Sequence, residues 1–281
     1  MFRTNKHAPV WISALLLLSA LTACSISYQN SVSLPILLYH DIRETGEGES
    51  VIARDVFLSH LDALQEAGYE TVTFQQVIDF VQLGSPLPQK PILITFDDGY
   101  LSNYEIAWPA LQERGMVGTI FVIGSSVGRS TYKDTGVPTI PHFSYIQARE
   151  MIRSGVMSIQ SHTYDLHQYR PLESDGGREG VLPKEGETFS AYEDTLRRDL
   201  HLSRTMLEEN TGKPVQVLSY PYGLYTQESE AISKELGFSV TLTTQMQPAR
   251  LRRGDPDSLR LMGRYSIDDC TPQQLLEKIQ A

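Results

Sequence analysis

Short apolar runs alternate with amphipathic stretches of helical length along most of this chain. The apolar runs predict strands at LPILLYH, GYETVTF, PILITF, VGTIFVI, VMSIQSH, VQVLSYP and FSVTLTT, with another short strand near residues 259–265. The periodic stretches predict helices over residues 55–67 with Asp55 at the cap, 75–83, 103–114, 145–154, 191–210, 227–236 and from Pro272 onward.

This alternation indicates an α/β fold built from seven or eight strand and helix units within residues 34–281. The pattern favours one closed, irregular β/α barrel over two separate domains. An open, doubly wound sheet is the alternative. Both architectures place chemistry at the carboxyl ends of the strands, where the polar residues of interest fall.

The first 23 residues do not fit this pattern. Arg3 and Lys6 precede an apolar run at 10–21, which is too short for a membrane-spanning helix of roughly 20 residues and is typical of a secretory signal peptide. The run ends in LTAC, which resembles the lipobox of bacterial lipoproteins and predicts lipidation of Cys24. An ordinary signal peptide with a chance cysteine is the alternative. Residues 24–33 are predicted as a tether, and Ser25 resembles a signal for the periplasmic side of the bacterial outer membrane.

Charge and cysteine content narrow the class of protein. Loss of Arg3 and Lys6 with the signal changes the net charge from −10 to −12. This charge argues against nucleic acid and anionic lipid surfaces as partners, so we expect membrane attachment through the lipid alone. With Cys24 acylated, Cys270 is the one remaining cysteine, which excludes an internal disulfide and a cysteine-based metal site.

The stretch ITFDDGY places two adjacent carboxylates directly after an apolar strand. Within a regular strand, Asp97 and Asp98 would point to opposite faces, and one would enter a dry interior. The strand must therefore end there, and Gly99 permits a left-handed turn. Two close carboxylates repel each other unless a cation or proton lies between them. A turn without function is the alternative.

The stretch SHTYDLH places His162 and His167 after another strand. On a helix, a spacing of five would separate the two side chains by about 140°, so a turn is needed to bring them to one ion. Two histidines and a carboxylate are a ligand set of catalytic zinc. The following segment, residues 169–190, is predicted either as a mobile loop at the mouth of the site or as a plain solvated loop.

Three motifs, TFDDG, SHTYDLH and YPYG, together resemble those of the polysaccharide deacetylases, carbohydrate esterases of the NodB-homology type, over about residues 34–267. The resemblance implies an irregular barrel in which Asp97 is the general base. It implies that Asp98, His162 and His167 bind the metal, usually zinc, and that the backbone N–H of Tyr222 stabilises the oxyanion.

Two details resemble the branch that deacetylates poly-β-1,6-N-acetyl-D-glucosamine. These are the histidine spacing of five and the early strand ending in Tyr-His. Members of that branch are described as circularly permuted, which assigns His40 the general-acid role; His142 is the other histidine free for that work. Leu218 stands where the family often has an arginine, so the partner of Asp97 must lie elsewhere in the sequence.

The resemblance implies hydrolysis of N-acetyl groups on a polymer of N-acetylglucosamine, most specifically the β-1,6-linked polymer of biofilm matrix. Candidate substrate contacts are Tyr220, Pro221, Tyr164 and Tyr225. A protein of the export machinery is a candidate partner. Alternatives are a deacetylase of peptidoglycan or chitin, a glycoside hydrolase using Asp97 and Asp41, and a non-catalytic carbohydrate-binding lipoprotein.

Overall fold

The computed structural model describes residues 30–48 and 50–280. The predicted signal peptide, Cys24 and most of the predicted tether lie outside these residues. Within the described ranges, no helix combines the length and the apolar character that a bilayer crossing requires.

A parallel sheet of eight strands forms the centre of the domain. The strands of the chain are β1 (Ser31–Leu34), β2 (Ile36–Tyr39), β3 (Asp41–Arg43), β4 (Val51–Ala53), β5 (Glu70–Thr71), β6 (Pro91–Phe96), β7 (Gly118–Val122), β8 (Met157–Ser161), β9 (Val217–Ser219), β10 (Val240–Leu242), β11 (Ala249–Arg252) and β12 (Tyr265–Ser266). The order in the central sheet is β10, β9, β8, β7, β6, β2, β12, with β5 beside the start of β6. The helices are α1 (Arg54–Glu66), α2 (Phe74–Leu83), α3 (Trp108–Glu113), α4 (Tyr145–Arg153), α5 (Phe189–Thr211), α6 (Gln227–Glu235) and α7 (Pro272–Gln280).

The two ends of this curled sheet approach each other through one short segment of chain, residues 262–266. Met262 forms a parallel bridge to Leu242 in β10, and Tyr265 pairs with Leu37 in β2. The sheet therefore curls into an irregular barrel, as predicted, and the first strand of the barrel lies beside the last. Because all its strands are parallel, their carboxyl ends share one rim.

The core fixes the end of β6 from several sides. All six residues of β6 are buried, which explains why its sequence is a continuous apolar run. The ring of Phe96 lies 5.7 Å from that of Tyr39 and 5.9 Å from that of Phe57, measured between centroids. This aromatic packing holds the strand end from which the Asp pair emerges.

Some element boundaries differ from those predicted. The strand expected in GYETVTF is only two residues long, because Thr73 and Gln76 form a capping box that begins α2 at Phe74. Asp55 is not the cap of α1; it lies in the first turn, and Ala53 occupies the cap without a side-chain hydrogen bond.

At the two ends of the domain, the boundaries also shift. Ser31–Leu34 pair antiparallel with β11, so the predicted tether ends before Ser31 and the domain begins earlier than residue 34. Of the strand expected near residues 259–265, only Tyr265 lies in a strand, whereas residues 256–259 form a 3₁₀ turn. The strand β11 was not predicted, because two of its four residues, Arg250 and Arg252, are charged and lie on its exposed face.

Candidate metal centre and active site

The chain turns sharply after β6, as the sequence predicted. Asp98 and Gly99 both have positive φ, 71° and 83°. A Cβ atom at Gly99 would lie 2.8 Å from Cγ1 of Val122, so the position requires glycine for space as well as for backbone conformation. This turn allows the two aspartates to reach different partners at the same rim.

Asp97 forms an ion pair with an arginine that was not predicted from the sequence. Arg264 is fully buried and donates from Nη1 to Oδ1 of Asp97 at 2.7 Å and from Nη2 to Oδ2 at 2.8 Å. Its Nε donates to the carbonyl of Thr243 after β10. Arg264 thus takes the place of the arginine missing at Leu218, and it reaches the rim from residues 262–266, which close the barrel.

The charge of Asp97 follows from this pairing. Burial opposes ionisation, but the charge of the Arg264 guanidinium and its hydrogen bonds to the carboxylate outweigh burial and hold the pKa of Asp97 well below its ordinary value. Ser219 donates from Oγ to Oδ2 at 3.1 Å. Asp97 is therefore anionic across the physiological range and held in one orientation.

Asp98, His162 and His167 form the one potential metal-binding group of three or more His, Cys, Asp or Glu side chains found in the described residues, with their ligand atoms within 4.8 Å of one another. Oδ1 of Asp98 lies 3.6 Å from Nε2 of His162 and 3.7 Å from Nε2 of His167. These separations exceed hydrogen-bonding distance, and Oδ1 is buried without a hydrogen-bond partner. A buried carboxylate oxygen facing two imidazole nitrogens fits a divalent cation, and two histidines with one carboxylate suit zinc.

The orientation of His162 supports the role of ligand. Its Nδ1 lies 2.8 Å from the carbonyl oxygen of Ser219, an acceptor that requires the proton on Nδ1. Nε2 is then left with its lone pair toward Asp98. Burial lowers the pKa of His162, which keeps the ring neutral, as metal binding requires.

Asp199 of α5 accepts hydrogen bonds from the turn between the two histidines, and this contact was not predicted from the sequence. Its Oδ1 accepts the backbone N–H of Tyr164 and its Oδ2 that of Asp165, each at 2.8 Å. Thr163 begins this turn with a φ of 69°. This is the non-helical geometry that the spacing of five required. Burial raises the pKa of Asp199 to about 7.

The third motif contributes one residue to the site surface. Tyr222 has a φ of 59° and is 48% exposed, and its ring centroid lies 4.5 Å from that of His167. Its hydroxyl lies 3.4 Å from Nδ1 of His167. The next two N–H groups, of Gly223 and Leu224, are already donated to carbonyls, while the oxyanion role of the Tyr222 N–H remains a prediction.

The other candidate substrate contacts lie away from this surface. The Tyr220 side chain is completely buried, with its hydroxyl donating to Glu230, so the prediction that it contacts substrate is wrong. Pro221 is also buried. Tyr164 and Tyr225 are half-buried and do not line the cavity beside the metal ligands. Strand-end position alone did not distinguish rings that support the rim from rings that face the cavity.

His40 directly follows β2, and its electrostatic interaction with Asp97 and Asp98 contributes to the lowered pKa of both carboxylates. His40 therefore lies near the two carboxylates, and its role as general acid stays a prediction. His142 lies near the same site and lines the cavity, but its Nδ1 is buried without a partner and burial lowers its pKa. The structure therefore brings both candidate acids to the rim.

Asp41, the carboxylate of the glycoside hydrolase alternative, is engaged elsewhere. Its Oδ2 accepts from Nε of Arg43 at 2.6 Å, and its Oδ1 accepts from Oγ of Ser102 at 2.6 Å. The contact with Ser102 ties β3 to the helical segment that precedes α3. They give Asp41 a structural role and disfavour the alternative.

The segment 169–190 is anchored rather than merely solvated. Arg178 is buried and donates from both terminal nitrogens to Glu187, and from Nη1 to the carbonyl of Leu182. The carbonyl of Val181 accepts from the hydroxyl of Tyr192 in α5. A bridge between His167 and Glu179 links this segment to the metal centre. Its position beside the site confirms the predicted location, and its mobility stays a prediction.

A cavity of about 410 Å³ opens beside the metal ligands and is lined by Asp98, His167 and Tyr222. Tyr100 and His142 form a further part of its wall, with ring centroids 5.1 Å apart. This volume lies within the range of small-molecule sites, roughly 300–1,000 Å³. Another cavity of about 380 Å³, lined by residues of α2, β8 and β9, includes none of the residues of the metal centre.

The comparisons with known proteins agree with this geometry. A family model described as polysaccharide deacetylase matches residues 84–241. A putative polysaccharide deacetylase, YxkH of Bacillus subtilis, is 29% identical over 83% of this chain and 72% of its own length. The poly-beta-1,6-N-acetyl-D-glucosamine N-deacetylase of Staphylococcus aureus is 25% identical over 66% of this chain and 58% of its own.

Two solved structures are similar over most of their length. IcaB from Ammonifex degensii superposes with a TM-score of 0.73 and 30% identity, covering 89% of this chain and 97% of that one. A de-N-acetylase from Aggregatibacter actinomycetemcomitans gives a TM-score of 0.72 at 25% identity, covering 84% and 95%.

Proposed function

We propose a specific reaction for this chain, which belongs to the polysaccharide deacetylase family. In this proposal, it uses a divalent cation, most suitably zinc, to remove N-acetyl groups from a polymer of N-acetylglucosamine. The β-1,6-linked polymer is the substrate we propose. Its support is the similarity to relatives whose names specify that polymer and the Tyr-His strand end at Tyr39 and His40.

One observation carries the proposal. Two adjacent carboxylates are treated differently: Asp97 is fully paired with Arg264, while Oδ1 of Asp98 faces two imidazoles without a hydrogen bond. This is the division that hydrolysis of an amide by activated water needs, with one group to bind a cation and another to accept a proton. A carbohydrate-binding protein without catalysis would have no use for both.

The residues of the chain then have distinct roles. A divalent cation bound by Asp98, His162 and His167 would supply a Lewis acid that activates water and polarises the acetamide carbonyl. Asp97 accepts the proton of the water as its oxygen forms a bond to the carbonyl carbon. The backbone N–H of Tyr222 donates to the carbonyl oxygen as negative charge develops there. His40 donates a proton to the amine as the C–N bond breaks, which yields acetate and a glucosamine unit.

The test is acetate release from β-1,6- and β-1,4-linked N-acetylglucosamine oligomers, with zinc added or chelated. We expect release from the β-1,6 oligomers that chelation abolishes and zinc restores. Asp97→Asn should lower the rate by about 10²–10⁴ because the base is lost. Asp62→Asn, a surface carboxylate with a 55% exposed side chain, is the matched control and should leave the rate unchanged.

Three outcomes would contradict parts of this proposal. Release from β-1,4 oligomers alone would assign chitin or peptidoglycan as the substrate. Full activity in Asp97→Asn would remove its role as base. Glycosidic cleavage that survives chelation would indicate a glycoside hydrolase instead.

We also propose that the chain is anchored by a lipid on Cys24 at the periplasmic side of the outer membrane, and that a protein of the export machinery is a candidate partner. The support for the anchor is the LTAC sequence followed by Ser25. Incorporation of an alkyne-labelled fatty acid during expression in a Gram-negative host should label the wild type but not Cys24→Ser. Equal labelling of both would reject the anchor.

A further inference from the structure

We propose that Tyr132 and Tyr169 form a second sugar subsite beside the metal centre, which binds the polymer unit adjacent to the one that is deacetylated. This inference rests on the proposed function, because it assumes that the ligand is a chain of sugars. It adds two contact residues that neither the motifs nor the family resemblance indicated.

Exposed apolar side chains converge on this region. Val137, Tyr169 and Tyr222 are 40%, 59% and 48% exposed, and all three line the cavity that also contains Asp98 and His167. Large apolar side chains that are exposed together in a concave surface are typical of a binding site. The subsite is continuous with the candidate metal centre, so one extended ligand can contact both.

The two tyrosines are held in place before any ligand binds. The hydroxyl of Tyr132 donates to the carboxylate of Glu173 and accepts the backbone N–H of Tyr169 at 2.9 Å. The two rings meet edge to face, with centroids 6.2 Å apart. A ring that is already oriented loses little entropy on binding, which makes it an effective contact for the apolar face of a sugar.

An ion cluster joins the two loops that carry these rings. Nζ of Lys133 binds Oδ2 of Asp165 at 2.8 Å and also binds the carboxylate of Glu173. Lys133 belongs to the loop between β7 and α4, whereas Asp165 and Glu173 flank the second metal histidine in sequence. The wall of the subsite is thereby linked to the loop that positions His167.

The chemistry of the lining favours a neutral sugar. None of the residues that line this cavity is lysine or arginine, and the ammonium of Lys133 is already paired with two carboxylates. Aromatic rings, the amide of Gln168 and the hydroxyl of Thr139 provide apolar and hydrogen-bonding surface without positive charge. Such a lining fits an N-acetylated sugar and does not fit a phosphate or an acidic polymer.

The test compares wild type with Tyr169→Ala on β-1,6-linked N-acetylglucosamine oligomers of increasing length and on the monosaccharide. We expect kcat/KM on the longest oligomers to fall by about tenfold in the variant, mainly through a higher KM, as loss of one aromatic contact predicts. The loss should shrink as the oligomer is shortened. Tyr132→Phe, which keeps the ring but loses the hydroxyl contacts, should show a smaller loss with the same length dependence.

Phe189→Ala is the matched control, because Phe189 is 61% exposed at the start of α5 and does not line this cavity. It should behave as wild type at every length. An equal loss for Tyr169→Ala at all lengths, or none, would overturn the subsite.

A failure of the proposed function would be recognised separately. If wild type releases no acetate, titration calorimetry with the same oligomers still tests the subsite. Weaker binding to Tyr169→Ala than to wild type would support it, whereas equal binding, or none to wild type, would overturn it.

Discussion

Two arginine–carboxylate pairs of similar geometry hold the two sides of the candidate site. Arg264 forms an ion pair with Asp97 at the strand ends, and the two side chains are 0% and 3% exposed. Arg178 forms an ion pair with Glu187 within the segment 169–190, and these side chains are 5% and 12% exposed. In both pairs, two guanidinium nitrogens face the two carboxylate oxygens.

The difference between the pairs lies in what the carboxylate does. Asp97 is the proposed general base, so Arg264 sets the charge and orientation of a group with a proposed role in catalysis. Glu187 is not one of the candidate metal ligands, and its pairing with Arg178 organises a loop that contributes only Val181 as a fully buried apolar side chain. The Arg264–Asp97 pair therefore orients the proposed base. The Arg178–Glu187 pair stabilises the segment 169–190, which has little hydrophobic core of its own.

The largest effect is expected from Arg264→Met. This change leaves Asp97 buried without its cation, which we expect to lower the free energy of unfolding by about 3–5 kcal/mol in urea titrations. The pKa of Asp97 should rise, so the acid limb of the pH–rate profile should move to higher pH. The double variant Asp97→Asn/Arg264→Met should be more stable than Arg264→Met alone, because no unpaired charge remains. An unchanged pH profile would contradict the assignment.

The same pairing predicts how wild-type stability depends on pH. The pKa of Asp97 in the folded state lies below its ordinary value of 3.8, so the native state binds fewer protons than the unfolded state in acid. The contribution of the pair is therefore present above about pH 4 and is lost as pH falls below that value. Urea titrations between neutral and acid pH should show this loss in wild type. The double variant should lack that component.

Asp199→Asn tests the junction between the two regions. The amide group of asparagine keeps the size but can accept only one of the two backbone N–H groups, so the turn between His162 and His167 should loosen. We expect zinc affinity to weaken by about 10–100-fold, measured by competition with a chromophoric chelator. Asp194→Asn on the exposed side of the same helix is the control and should bind zinc as wild type does. Equal affinity in Asp199→Asn would show that the contact does not position the ligand.

Arg178→Met should have the smallest effect of the three. Glu187 is partly exposed and can be hydrated when its partner is lost, so we expect a cost of about 1–3 kcal/mol. Hydrogen bonding from Arg178 lowers the pKa of Glu187, but Glu187 has no role in the proposed reaction. KM for long oligomers should rise while the pH–rate profile stays in place. A shifted acid limb would contradict the division between the two pairs.

The sequence predicted the barrel and the grouping of the Asp pair with the two histidines because each depends on local information, whereas the choice of Asp98 as the carboxylate ligand came from the family resemblance and stays a prediction. Apolar runs and turn residues determine where a strand such as β6 ends, and the positive φ of Asp98 and Gly99 follows from a short motif. Position at a strand end was enough to bring Asp98, His162 and His167 to one rim. These residues meet because parallel strands share a direction.

The partners of those residues were not predicted because they depend on tertiary contacts. Arg264 is 167 positions from Asp97 in sequence, and Asp199 contacts the ligand loop from the middle of a helix. The available signal for Arg264 was a charged residue within a predicted strand, which Arg260 shares. For Asp199 it was a carboxylate on the buried side of an amphipathic helix. Likewise, the burial of Tyr220 could not be distinguished from the exposure of Tyr222 by motif alone.

The most direct test of the account is the metal content of the protein after equilibrium dialysis against zinc. Elemental analysis should find about one ion per chain in wild type and in Asp97→Asn, and a large loss in Asp98→Asn, because Asp98 is a ligand and Asp97 is not. Retention of the same zinc content in Asp98→Asn, or no bound zinc in wild type, would contradict the claim that Asp98, His162 and His167 hold the catalytic ion.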